Sequence, residues 1–98
     1  MKQRRNRPVR SGYAVFVPTL CQGTMPACYE GNAPVVFASE LEAQREIADN
    51  QMTRLRQFLD GERDFDDAIS TDEFVLPVKL WSDDSISTEE GRFFRGQT

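Results

Sequence analysis

The sequence contains no histidine and only two cysteines. Without an imidazole, the chain lacks the usual general base for activating a nucleophile, and a zinc site would have to be completed by carboxylates. It also lacks a glycine-rich phosphate-binding loop and a nucleophile elbow. These absences predict a protein that is not an enzyme and that has no catalytic, cofactor-binding or metal-binding residues.

The two cysteines, Cys21 and Cys28, are separated by six residues. That spacing allows a local disulfide. Two reduced thiols, one of them packing as a small hydrophobe, fit a cytosolic chain better. We therefore expect free thiols, with the disulfide as the alternative.

No apolar run in the 98 residues approaches the roughly 18–20 residues that a membrane-spanning helix needs. The N-terminus also lacks the apolar stretch of a signal peptide. The expectation is a cytoplasmic protein with no membrane contact. A chain of this length predicts a single domain.

Acidic residues are absent from the first 29 positions, which carry a charge of +5. Residues 30–98 hold 7 bases and 16 acids, which gives 7 − 16 = −9. The sequence predicts a flexible basic arm over 1–11, a domain over 12–95 and a frayed terminus over 96–98. The arm either solubilises the chain or binds nucleic-acid phosphates, and its lack of interleaved aromatics favours the first interpretation. A third interpretation is that it folds back on the acidic body of the chain. Its cations are Lys2, Arg4, Arg5, Arg7 and Arg10.

The segment from Ser39 to Gly61 has the strongest helical pattern in the chain. Ser39 and Glu42 form a capping box at its start, and Gly61 supplies the left-handed residue that ends a helix. Its apolar residues recur at steps of four, three and four, which predicts one buried face. That face comprises Ala48, Met52, Leu55 and Leu59, with Ile47 and Phe58 at its margin and Leu41 and Ala43 extending it towards the N-terminus.

Alternating apolar residues predict strands on both sides of this helix. Residues 13–20 and 34–38 are expected to form one hairpin around an irregular loop, with a tight turn at 30–32. Residues 73–81 and 86–88 form a second hairpin through a turn at 82–85, and residues 92–94 follow a break at 89–91. The predicted fold is α+β, in the order ββαββ, with a four-stranded antiparallel sheet and one long helix packed on one face. The expected core comprises Val15, Val17, Val36, Ile47, Met52, Leu55, Leu59, Phe74, Leu76, Val78 and Leu80.

The acidic segment after the helix resembles a calcium loop superficially. Counted from Asp60, the sixth position is Phe65 where a glycine is needed, and the twelfth is Thr71 where a glutamate is needed. A solvated loop that tucks Phe65 and Ile69 against the helix is the better interpretation. An acidic surface for a basic partner remains open.

Three stretches of the chain form a recognisable pattern: Tyr13-x-Val15-Phe16, Pro34-Val-Val-Phe-Ala-Ser39 leading into a helix with Ala43, and Val75-Leu-Pro-Val78 before an acidic turn and Ile86. Over roughly residues 13–94, this pattern resembles small uncharacterised proteins of phages, prophages and their bacterial hosts. The resemblance implies a strand-strand-helix-strand-strand layout and no agreed activity or functional residues.

The function predicted from the sequence is that of a small accessory protein acting by protein–protein interaction. In its most specific form, this prediction is an inhibitor of a basic host machine. The alternative is a nucleic-acid-associated protein that uses the basic arm. The partner is another protein or a second copy of the chain. We expect the contact surface on the sheet face away from the helix, with Trp81 as anchor, unless Phe93 and Phe94 fold over it. The predicted partner-binding residues are Phe16, Val75, Lys79 and Trp81, with Asp64, Asp66 and Asp67 at the rim.

Overall fold

A computed structural model of the chain describes residues 6–69 and 72–95. The seven strands are β1 (Pro8–Thr19), β2 (Gly23–Pro26), β3 (Tyr29–Glu30), β4 (Ala33–Pro34), β5 (Phe74–Trp81), β6 (Ile86–Thr88) and β7 (Phe93–Phe94). The two helices are α1 (Glu40–Leu59) and α2 (Phe65–Ile69). The α+β class is confirmed, with one long helix and an antiparallel sheet.

The main sheet has five strands rather than the predicted four, in the order β2-β1-β5-β6-β7, and is nearly barrel-shaped. Every pairing in it is antiparallel. β3 and β4 form a separate two-stranded hairpin around Gly31, whose positive φ of 62° suits a glycine. The predicted turn at 30–32 is therefore confirmed, and the segment predicted as an irregular loop contains three short strands.

The long strand β1 is an interior strand of the sheet because it pairs with a neighbour on each edge. One edge pairs with β5 from Pro8↔Trp81 to Phe16↔Phe74. The other pairs with β2 from Phe16↔Pro26 to Thr19↔Gly23, so pairing continues past Pro18. The predicted hairpin between 13–20 and 34–38 is reduced to one isolated bridge between Tyr13 and Phe37.

The core cluster lies between strands of the curved sheet. Phe16 and Ile86 are fully buried in it, and Phe16 packs between the rings of Phe74 and Phe94 at centroid distances of 6.3 and 5.4 Å. The cluster comprises Ala14, Phe16, Val78, Ile86 and Phe94, with Met25, Val36, Leu76 and Leu80 packed against it. None of its members comes from α1. Because the sheet curves, the apolar side chains on one of its sides pack against one another. The sheet therefore forms this core without the helix.

The predicted core is wrong for the helix. Met52, Leu55 and Leu59 are exposed, whereas the strand residues Val15 and Val78 are buried as predicted. In the row expected to meet the helix, Leu76, Val78 and Leu80 belong to the core cluster or pack against it instead. Phe74 stacks on Phe16 but remains 36% exposed. The error arose because helical periodicity identifies the apolar side of a helix but does not show whether that side packs on the sheet or is exposed to solvent.

The ends of α1 are as predicted from their capping residues. The backbone N–H of Glu42 donates to the Ser39 hydroxyl at 3.1 Å, while the Glu42 carboxylate accepts from the Ala38 N–H at 3.2 Å, one residue before the predicted donor. At the other end, Gly61 has φ 79°. The N–H of Glu62 bonds to the carbonyl of Gln57, and that of Gly61 to the carbonyl of Phe58, which is a Schellman motif.

The predicted turn at 82–85 is also present. The Asp83 carboxylate accepts from both the hydroxyl and the N–H of Ser85, and these hydrogen bonds lower the pKa of Asp83. Asp84 takes a positive φ of 66°, a conformation that aspartate tolerates better than most residues. The turn therefore forms without a glycine.

Part of the predicted arm is a strand. β1 begins at Pro8, and residues 8–11 pair with β5. Before the strand, the Arg7 N–H donates to the Ser82 hydroxyl at 3.0 Å, and the Ser82 N–H donates to the Arg7 carbonyl at 2.8 Å. The Asn6 amide oxygen accepts from the N–H of Asp83 at 3.1 Å. The folded region thus begins before the predicted boundary at residue 12; residues 1–5 and 96–98 lie outside the described residues.

We predict that deleting residues 1–11 lowers the melting temperature by several degrees, because β5 loses its partners at the Trp81 end. Thermal unfolding by circular dichroism measures this. Deletion of residues 1–5 is the control, and the difference between the two deletions isolates residues 6–11. Equal melting temperatures for the two deletions would contradict the pairing.

Gly12 allows the 36–37 segment to lie directly over β1. A Cβ at this position would lie 2.5 Å from Val36 Cγ1 and 2.6 Å from the Phe37 carbonyl oxygen. The Tyr13 N–H and the Phe37 N–H donate to each other's carbonyls at 2.9 and 2.7 Å. Because the backbone oxygen is held by this bridge, it has little freedom to move away.

We predict that Gly12→Ala destabilises the fold by about 1–3 kcal/mol through overpacking at the bridge. Urea unfolding at equilibrium gives the change in free energy of unfolding. Ser11→Ala, at the exposed neighbouring position, is the matched control and is expected to stay within about 0.5 kcal/mol of the parent. A Gly12→Ala variant as stable as this control would show that the segment does not approach β1 closely.

Candidate protein-interaction surfaces

The packed face of α1 is largely polar. Ala43 is fully buried, and Ile47, Asn50 and Arg54 are half-buried on the same side of the helix. Arg54 Nη1 lies 3.2 Å from Glu73 Oε1 and Asn50 Nδ2 lies 3.4 Å from Glu73 Oε2. Glu73 directly precedes β5, so these contacts tie the middle of the helix to the sheet.

These contacts indicate which row of the sheet α1 covers. Glu73 and Val75 alternate with the core row along β5. Val15, the cross-strand partner of Val75, is 1% exposed although it is not a member of the core cluster. The helix therefore covers the sheet side that carries Val15 and Val75.

The opposite face of α1 is apolar and exposed. Leu41 and Met52 are each 61% exposed, Leu55 is 36% exposed and Leu59 is 80% exposed. Ala48, between them in sequence, is exposed as well. At 100° per residue these five side chains fall within one narrow sector of the helix. We call them the outward stripe: Leu41, Ala48, Met52, Leu55 and Leu59.

Sequence reasoning found these residues but placed them on a buried face of the helix. The signal that distinguishes the two cases is the strict 4-3-4 spacing of residues 48, 52, 55 and 59, because a seam this narrow is typical of a helix that pairs with another helix. Of the polar residues between them, four are half-buried and three are exposed. The half-buried ones are Asn50, Gln51, Arg54 and Gln57.

α2 extends the apolar surface at the C-terminal end of α1. The rings of Phe58 and Phe65 meet edge-on at a centroid distance of 5.2 Å, and both remain at least one-third exposed. Ile69 is also exposed, while Ala68 is buried. The prediction that Phe65 and Ile69 tuck against the helix thus holds for the ring contact of Phe65 but not for burial of either side chain.

The predicted acidic rim lies beside α1 rather than around Trp81. Asp64, Asp66 and Asp67 are exposed at α2, and Asp67 pairs with Arg63 at 2.6 Å. Asp67 also lines a shallow depression together with Glu73 at the start of β5. Trp81 ends the same eight-residue strand, about 26 Å away at about 3.3 Å per residue. The proposed anchor and rim therefore do not form one surface.

Trp81, the predicted anchor, makes contacts within the domain. Trp81 is half-buried, its Nε1–H donates to the Ser87 hydroxyl at 2.8 Å, and its ring lies 5.4 Å from that of Phe93. Phe93 thus covers Trp81, as the alternative expected, whereas Phe94 turns to the core. A shallow groove beside them is lined by residues that include Tyr13, Pro77, Lys79, Trp81 and Phe93.

The other residues predicted with Trp81 divide between the two sides of the sheet. Lys79 is exposed in the groove and Val75 is half-buried on the helix side. Phe16 is fully buried in the core, so its assignment to a contact surface is wrong. The error came from the register: Phe16 pairs with Phe74 and shares its row, whereas Val75 pairs with Val15.

Of the arm's cations, Arg7 and Arg10 are described and Lys2, Arg4 and Arg5 are outside the described residues. Arg10 Nη2 donates to the Val36 carbonyl at 3.2 Å. One of the cations assigned to a nucleic-acid contact therefore holds the 36–37 segment on β1.

Both cysteines are free thiols, Cys21 exposed and Cys28 half-buried. Burial, together with the nearby carboxylates of Glu46 and Glu73, raises the pKa of Cys28 to about 11. The thiolate is the reactive form, so Cys28 is a poor nucleophile at neutral pH.

The chain has no match among family models, curated proteins or solved structures. Within residues 6–69 and 72–95, no helix is long and apolar enough to cross a membrane. Over the same residues, no three cysteine, aspartate or glutamate side chains lie close enough together to hold a metal ion. The phage resemblance and the absence of enzymatic activity stay predictions.

We predict that Cys28 reacts slowly with iodoacetamide in the folded protein at pH 8, since only about one thiol in a thousand is ionised three pH units below its pKa. Its rate should rise about tenfold per pH unit until near pH 11, if the fold is retained. Mass spectrometry of Cys21→Ser isolates this site, and Cys28→Ser gives the exposed thiol for comparison. Equal rates for both thiols at pH 8 would contradict the shielding of Cys28.

Proposed function

We propose that this chain is a non-enzymatic accessory protein that acts by binding another polypeptide, and that the outward stripe is its contact surface. The observation that carries the proposal is the exposure of the stripe in the folded chain. An aligned row of large apolar side chains on a helix costs solubility when it is left in water, and such patches mark contact surfaces.

The form of the surface indicates what it binds. The stripe runs along most of a 20-residue helix whose inner face is already tied to the sheet by Arg54 and Glu73. A partner helix that offers a similar seam would bury the stripe with the geometry of a two-helix packing. The helix is already ordered, so little conformational entropy is lost on binding.

The sheet groove is the weaker candidate. The indole N–H of Trp81 is satisfied by Ser87, and its ring is partly covered by Phe93. An anchor residue gains most when its apolar surface is free to be buried by the partner. Trp81 has less free surface than Leu59 or Met52, so we assign it to stabilising the β5–β6–β7 end of the sheet.

The acidic residues near the outward stripe indicate the charge expected of the partner. Asp64, Asp66 and Asp67 lie exposed at the C-terminal end of the helical surface and add negative charge there. A partner with basic residues flanking its apolar seam would fit this end, which is consistent with the hypothesis of a basic host machine. The resemblance to phage and prophage proteins is part of the same hypothesis. The nucleic-acid alternative gains no support, since Arg10 is engaged with Val36.

The proposal is tested by comparing the polypeptides that the parent chain and matched variants capture from cells. We predict that the chain with Met52→Glu and Leu59→Glu loses the polypeptides that the parent captures after cross-linking in the cells that produce it. Thr53→Glu, an exposed position of the same helix outside the stripe, is the control and should retain them. Glutamates in the stripe would have to be desolvated in the complex, which opposes binding.

The same variants test the surface in the isolated chain. At low protein concentration, the double variant should melt within a few degrees of the parent, because substitutions at exposed positions change stability little. An unfolded double variant would show that the stripe is core. Capture by all three proteins alike would show that the polypeptide partner binds elsewhere.

A further inference from the structure

We propose that the outward stripe binds the outward stripe of a second copy of this chain, with the two α1 helices antiparallel about a two-fold axis. This inference rests on the proposed function, because it names the partner of the same surface. It is carried by two independent features: the spacing of the stripe and the positions of the charges beside it.

The spacing is that of a two-helix seam. Leu41, Ala48 and Leu55 recur every seven residues, and Met52 and Leu59 repeat at the same interval four residues after Ala48 and Leu55. These are the d and a positions of a heptad repeat, which keeps its seam facing a partner helix. In an antiparallel pair, a residues pack against d residues. Met52 then meets Leu55 of the second copy, and Ala48 meets Leu59, so a large residue faces the small one.

The charges beside the middle of the seam are complementary only to an inverted copy. With Met52 opposite Leu55, Asp49 comes beside Arg56 of the second copy, and the two-fold axis forms this pair twice. Both residues are exposed. Among the described residues, ion pairs join Arg54 to Glu73 and Arg63 to Asp67, and neither uses Asp49 or Arg56.

A parallel arrangement fits less well. It would stack Arg45 on Arg45 of the second copy at an a position of the seam, where like charges repel. It would also place Asp49 beside Gln44 and Arg56 beside Gln51, so no ion pair would form. The sequence of this helix therefore favours the antiparallel arrangement.

The available area is that of a modest dimer. The large apolar residues of the stripe, with Phe58 and Phe65 beside it, are between 36% and 80% exposed. Together they offer on the order of 500–600 Å² of accessible surface per copy. A standard interface buries about 800 Å² per partner, and the flanking charged side chains supply much of the difference. We expect a reversible dimer, populated over a concentration range of about 1 µM to 1 mM.

Charge reversal tests the arrangement. By sedimentation equilibrium, the parent should shift from 11.2 kDa towards twice that mass as concentration rises. Asp49→Arg and Arg56→Asp should each weaken the dimer about tenfold or more, because each sets two like-charged pairs across the axis. The double variant carrying both changes re-forms the pairs in reverse and should recover the parent affinity to within about threefold. Thr53→Glu is the control, and circular dichroism checks that each variant keeps its helix.

The outcomes separate this inference from the proposed function. A parent that stays monomeric up to about 1 mM overturns the dimer, while the stripe can still bind a different polypeptide in the capture experiment. A dimer that Met52→Glu with Leu59→Glu leaves intact also overturns it, since another surface would then be responsible. Loss of dimer in both single reversals without recovery in the double variant overturns the antiparallel arrangement. Recovery in the double variant supports it, because a general effect on stability would not be reversed by a second charge change.

Discussion

The contact between Arg54 and Glu73 determines which side of α1 faces the sheet. The two side chains are 20% and 11% exposed, and Asn50 adds a second hydrogen bond to the same carboxylate. Charge-assisted hydrogen bonds are about twice as strong as neutral ones, and leaving one partner half-buried and unpaired would cost more than the bond itself contributes. The helix therefore turns Asn50 and Arg54 towards the sheet. Since the outward stripe lies on the other side of the helix, it is directed to solvent.

This arrangement is stable because the sheet does not need the helix to cover its core row. Phe16, Val78, Ile86 and Phe94 bury one another as the five strands curve. Because Gly12 has no side chain, the segment before α1 lies directly on β1 in the space that a Cβ would occupy. This close approach lets Val36 pack against the same cluster. The helix then covers only the Val15 row, and Ala43 is its fully buried residue. A small protein with a self-contained sheet can leave an apolar helix face available for a partner.

Much of the local structure could be predicted from the sequence. Ser39 and Gly61 mark the ends of α1 because capping and the left-handed conformation are local requirements. The alternation from Phe74 to Leu80 predicts β5 for the same reason. Of the candidate contact surface, the sequence identified the residues of the stripe but not their exposure, and it assigned the buried Phe16 to the surface. Both errors concern what a side chain faces, which depends on elements distant in sequence.

The sequence by itself determined the α+β class, the position of the long helix, the β5–β6 hairpin and the opposite charges of the two parts of the chain. These follow from periodicity, caps, turns and composition, which act over a few residues or need no structure at all. Only the tertiary structure decided that β1 begins at Pro8 and pairs on both edges, that the sheet has five strands, and that α1 packs with its polar side inward. Periodicity cannot show which of two helix faces packs on the sheet when one face is apolar and the other can bind a half-buried carboxylate. That choice was made by Glu73, nineteen residues after Arg54 and adjacent to it only in the fold.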